Sequence, residues 1–142
     1  MREHLAVILK LHLKSVLGLE KRWHKMTKSL IPTEHQEQSL VIQYCNLKKI
    51  PIFHIPNGSY KSVTARVKAK KEGLKSGIPD LMIPVANKNH HGLFIEMKRV
   101  KNSKVSVHQK QWIELLNKQG YKAIVCYGNN EAIKEIENYI KD

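Results

Sequence analysis

Two carboxylates and one ammonium stand close together in this chain: Asp80, Glu96 and Lys98. Asp80 opens an apolar run, Leu81-Met82-Ile83-Pro84-Val85, and Glu96 and Lys98 close a second, Leu93-Phe94-Ile95. The segment between them, Ala86 to Gly92, is rich in Asn and His and ends in Gly, which reads as a hairpin loop. Side chains alternate along a strand, so Glu96 and Lys98 share one face. Met97 turns into apolar packing and leaves its carbonyl near the two polar groups. Antiparallel pairing across the loop then sets Asp80 beside Glu96. Carboxylates and a carbonyl are hard oxygen ligands that suit Mg2+ or Mn2+. A lysine beside such an ion can orient or deprotonate a water, or hold charge developing on a phosphate. The plainer reading is a surface hairpin with scattered charges. Against it, ionisable groups adjoining strongly apolar runs need a compensating reason to be there.

Elements on either side must hold these groups in place. Pro32-Thr33 opens a helix, with Thr33 as N-cap and Gln36 completing a capping box. Leu40, Val41, Tyr44, Cys45 and Leu47 form its apolar face, and Glu34 and Glu37 precede them. Ile50 to Ile55 reads as a short strand, followed by a turn at Pro56-Asn57-Gly58. Ser62 to Lys71 reads as a basic helix ended by Gly73. Beyond Lys98, a basic segment leads to Ser106, an N-cap, and a helix whose apolar side is Trp112, Ile113, Leu115 and Leu116. Tyr121 to Tyr127 is a core strand. Asn129 or Asn130 caps a last helix with Ala132, Ile133, Ile136 and Ile140 inward. Residues 1–31 form a separate amphipathic and basic extension, with Leu5, Ile8, Leu9, Leu13, Val16 and Leu17 at helical spacing. Residues 32–142 carry the rest as one domain. The reading is an α/β fold, a small mixed β-sheet flanked by helices, with an extra N-terminal helix.

A chain of 142 residues with a net charge of +13 is long enough for a real core and calls for an anionic partner, most simply nucleic acid. No apolar run approaches a membrane span. Cys45 and Cys126 are far apart, lack zinc spacing and sit in apolar patterns, as buried free thiols of a reducing cytoplasm do. His90-His91 invites a metal reading, but the partner histidine and ββα spacing of an HNH site are missing, so the pair is read as loop.

Gly77-Ile78-Pro79-Asp80 followed by Phe94-Ile95-Glu96-Met97-Lys98 resembles the PD-(D/E)XK nuclease superfamily. More closely, the chain is similar to the VRR-NUC (virus-type replication-repair nuclease) domain, in the small stand-alone form found in phages and prophages. The likeness takes in Thr33 to Gln38, Ile55 to Gly58, Glu72 to Gly77, Val105 to Trp112 and Gly120-Tyr121, and so spans residues 33 to 140. It implies a restriction-endonuclease-like core and a Mg2+-dependent (or Mn2+-dependent) DNA endonuclease. Asp80, Glu96 and the Met97 carbonyl would then hold the metal, with Lys98 at the attacking water. It also implies a third acid from the helix that Thr33 opens, Glu37 or alternatively Glu34, and a glutamine, Gln109, reaching toward the site. Products with a 3'-hydroxyl and a 5'-phosphate, branched DNA such as four-way junctions as substrate, and a homodimer in a bacterial host cytoplasm follow from the same resemblance.

The residues expected to meet nucleic acid are Lys61, Arg66, Lys68, Lys70, Lys75, Arg99 and Lys101, with Asn57 on a turn that the resemblance implies lies beside the active face. The rivals are a binding module of the same fold with a weak or inactive site, an RNA nuclease, and a basic scaffold that coats nucleic acid.

Overall fold

Thr33 starts the first helix of the described residues, as its spacing predicts. Its hydroxyl accepts from the Gln36 amide at 3.2 Å, and the Gln36 side chain accepts from the Thr33 amide at 2.8 Å. The computed structural model describes residues 32–57, 62–101 and 103–142; the extension over residues 1–31 and Lys61 lie outside them. Helix α1 runs Glu34–Leu47. Glu37, Val41 and Cys45 recur every fourth residue and make its buried stripe. That stripe leaves Leu40 and Leu47 off the core, and Leu47 is 83% exposed rather than buried as its type had suggested.

Strand β1, Phe53–His54, is shorter than the apolar run containing it. Pro51 and Pro56 bracket it, and neither can donate to a ladder. Helix α2, Val63–Lys71, is capped by the Ser62 hydroxyl and buries only Ala69. Strands β2, Leu81–Ile83, and β3, Leu93–Lys98, form the expected hairpin. Helix α3, Val107–Lys118, begins with a second capping box, Ser106 with Gln109. Strand β4 spans Lys122–Tyr127, and helix α4 spans Asn129–Lys141.

The sheet order is β1-β2-β3-β4. The first two pairings are antiparallel, and β3 pairs β4 in parallel, with α3 as the crossover that parallel neighbours require. One face of the sheet carries the core: Leu81, Ile83, Leu93, Ile95, Met97 and Cys126 meet Val41 and Cys45 of α1 and Ala132, Ile136 and Tyr139 of α4. Ile140 was expected inward and is exposed instead. Counting from Ala132, Tyr139 falls nearer the middle of the inward stripe, and its hydroxyl donates to the Val85 carbonyl at 2.7 Å. Both cysteines are buried free thiols, and burial pushes Cys45 up to about 11 and Cys126 up to about 12. Among the described residues, no helix is long and apolar enough to cross a membrane.

Candidate active site

The hairpin register pairs Leu81 with Ile95, and one further step carries Asp80 opposite Glu96. Asp80 is held at three points. Its Oδ2 accepts from the Met97 amide at 2.9 Å, and its Oδ1 accepts from the Asn57 side-chain amide at 2.8 Å. Its carbonyl accepts from the Ile55 amide at 2.8 Å and from Nδ1 of His54 at 3.0 Å.

Glu96 is 1% exposed and Lys98 5% exposed; their direct contact puts both on one face, while Met97 enters the core on the other. Lys98 Nζ donates to Glu96 Oε1 at 2.5 Å and to the Met97 carbonyl at 3.2 Å. Gln109 Nε2 donates to the same Glu96 oxygen, while Gln109 Oε1 accepts from the Ser106 amide at 2.8 Å. One glutamine thus caps its own helix and reaches the buried acid. The loop before Asp80 supports this arrangement. Gly77 has φ +88, and a Cβ there would lie 2.7 Å from the His108 carbonyl carbon and 2.9 Å from the Gln109 nitrogen. Only glycine lets that loop lie so close to the start of α3.

The second oxygen of Glu96, Oε2, is buried without a hydrogen-bond partner among the described residues. Leaving such a group unmet costs about 1–3 kcal/mol, which a water or an ion bound at Oε2 would relieve. Burial raises the Glu96 carboxyl to about 7, helped by the charges of Asp80 and Glu34 and opposed by Lys98. For Lys98, burial works to lower the pKa, but Glu96, Glu34 and Asp80 together outweigh it and the net shift is upward. Lys98 is therefore an ammonium here, a donor rather than a base.

Helix α1 contributes two acids with different destinations. Glu34 Oε1 lies 3.8 Å from Lys98 Nζ. Glu37, expected first as the additional acid of the site, is 3% exposed and turns to α4 instead. Its Oε2 accepts from the Asn129 amide at 2.8 Å and also from the Asn129 side chain. The reason is Gly128. It occupies the N-cap of α4 at φ 85 and has no side chain to cap with, so the acid comes from another helix. Asn129, read from sequence as a cap, is the residue being capped. The signal for this was present as a glycine directly before the helix, where a side-chain cap would otherwise stand.

The residues able to hold a metal ion are Asp80, Glu96 through its unmet Oε2, and Met97 through its carbonyl. Among the described residues, no three His, Cys, Asp or Glu side chains form a metal-holding group. Asp80, Glu96 and the Met97 carbonyl amount to two carboxylates and a backbone oxygen. Such hard oxygen donors are of the kind Mg2+ takes. The His90-His91 pair serves packing: His91 meets Tyr121 edge-on at 5.7 Å, and His90 stacks on Tyr139 at 6.4 Å.

Of the basic residues, Arg66, Lys68 and Lys70 are exposed on α2, where Lys68 lies 3.8 Å from Glu72. Lys75 is exposed in the loop before Gly77, Arg99 is half-buried next to Lys98, and Lys101 is exposed. Asn57, expected at nucleic acid, is engaged with Asp80. The sequence reading places Asn57 at nucleic acid and misses the link to Asp80, because the contact spans 23 positions in sequence.

The family model of the VRR-NUC domain matches residues 22–130. A solved structure described as a VRR_NUC domain protein is similar with a TM-score of 0.67 and 35% sequence identity, covering 78% of this chain and 90% of that one. A comparison with curated proteins finds no match.

Proposed function

The chain belongs to the VRR-NUC domain family, whose fold is of the nuclease type, and on that footing we propose that it hydrolyses DNA phosphodiester bonds with the help of Mg2+ or Mn2+. The observation that carries this reading is the buried, unpartnered Glu96 oxygen on the strand position facing Asp80. Asp80, Glu96 and the Met97 carbonyl would hold the ion. When bound, it would supply positive charge to the scissile phosphate and acidify a water.

The chain's own groups do the rest. Met97, through its amide, fixes one oxygen of Asp80. Gln109 and Lys98 both grip Glu96 Oε1, which leaves Oε2 as the free donor. Lys98, held as an ammonium, can donate to an attacking water or to a phosphate oxygen as charge builds on it. Arg66, Lys68, Lys70, Lys75, Arg99 and Lys101 offer sequence-independent backbone contacts, in keeping with the charge of +13. The reading extends to a 3'-hydroxyl and a 5'-phosphate as products, branched DNA as preferred substrate, a homodimer that presents two sites, and a phage- or prophage-encoded protein acting in a bacterial cytoplasm.

The test is a Mg2+ titration of cleavage on linear, flapped and four-way DNA, with Asp80→Ala alongside. The variant should lose cleavage yet bind DNA as well or better, since one repulsive carboxylate is gone. Equal cleavage by Asp80→Ala would overturn the proposal. Matched RNA substrates separate the ribonuclease alternative.

A further inference from the structure

We propose that Asn57 is a positioning residue for Asp80, and that its side-chain amide sets the plane in which this carboxylate faces a divalent cation. The inference rests on the metal reading above and deepens it. A carboxylate rotates broadly about its last torsion, so a single hydrogen bond leaves its plane loosely defined. Asp80 has two, one to each oxygen: the Met97 amide at 2.9 Å and the Asn57 amide at 2.8 Å. They come from different elements, β3 and the turn after β1, and together they fix the plane. Since a carboxylate only accepts, the nitrogen of Asn57 is the atom turned toward it. Each carboxylate oxygen has about two lone-pair sites, so one on each remains for an ion.

The residue type fits the task. An amide donates without adding charge. A lysine in its place would repel a cation, and an aspartate would repel Asp80. Delivery is built into the sheet: Ile55 donates its amide to the Asp80 carbonyl at 2.8 Å, two positions before Asn57. Asn57 is exposed, so packing does not account for its position. Of the two donors, Met97 uses its backbone, which leaves Asn57 as the one that substitution can remove.

The experiment is a Mn2+ titration of the full chain, stripped of metal and free of DNA, followed by electron paramagnetic resonance. Outer partners of metal ligands typically change affinity by about 10–100-fold. Asn57→Ala should weaken Mn2+ binding by about that factor, with an unchanged unfolding midpoint in EDTA. Asn57→Gln, which keeps the amide on a longer stem, should recover part of the loss. Binding by Asn57→Ala equal to the parent, while Asp80→Ala binds none, overturns this inference alone. Parental binding by Asp80→Ala overturns the metal reading beneath it as well.

Discussion

Glu96 and Lys98, two positions apart on β3, share a 2.5 Å ion pair from which water is almost wholly excluded. Strand alternation accounts for their common face, and Gln109 from α3 closes over the same oxygen. The pair is enclosed enough that neither partner can be removed quietly.

Replacing Lys98 by Met strands the Glu96 charge in a buried site. Removing one member of a buried pair costs about 3–5 kcal/mol, and the lower end applies because Glu96 can take up a proton. Urea unfolding in EDTA should show a loss of about 3 kcal/mol at about pH 8, shrinking as pH falls. The double variant Glu96→Gln/Lys98→Met should regain most of that stability and none of the cleavage.

The Glu96 carboxyl titrates near 7 in the folded chain against an ordinary 4.5. The folded state therefore binds this proton more tightly than the unfolded state. The stability from this group is complete below about 4.5 and is lost as pH rises toward 7. Thermal unfolding of metal-free protein should show that decline, and Glu96→Gln should flatten it. Mg2+ should oppose the decline, since it takes the ionised form. Cleavage should rise through the same window.

Glu34 and Glu37, one turn apart, should separate cleanly in assays. Glu37→Ala removes a buried charged acceptor from the start of α4 and should cost about 2 kcal/mol, read by chemical denaturation. Its single-turnover cleavage rate should be unchanged well below the melting temperature. Glu34→Gln should leave stability nearly intact, because the acid is half-exposed, and should alter the rate.

Gly77→Ala forces a side chain into the left-handed region, worth about 1 kcal/mol, before the contact with His108 is counted. The start of α3 must shift to admit it, and Gln109 moves with that helix. Stability and cleavage should both fall. A second-site Gln109→Ala should then lower cleavage little further, since the two changes act on one contact.

Local signals were legible where the physics is local. Thr33 with Gln36 and Ser106 with Gln109 announce helix starts through hydrogen bonds three residues apart. The alternation of Phe94 to Lys98 announces which side chains share a face. The Ala86 to Gly92 loop joins two apolar runs whose antiparallel pairing brings Asp80 to Glu96.

What chain order alone could not decide is where a side chain ends when several partners compete for it. Glu34 and Glu37 carry the same carboxylate at equivalent places on one helix. Their fates diverge because Gly128, 91 positions beyond Glu37, leaves a helix start uncapped and draws one of them away. Asn57 likewise reads as a turn residue that meets nucleic acid until β1 pairs with β2 and brings Asp80 within hydrogen-bond reach. The sequence by itself determined residue types, periods and the pairing of the hairpin, because those depend on neighbours a few bonds away. The tertiary structure decided which acid joins the cluster and which amide braces it, because hydrogen bonds are short-ranged and only the packed chain says which groups meet.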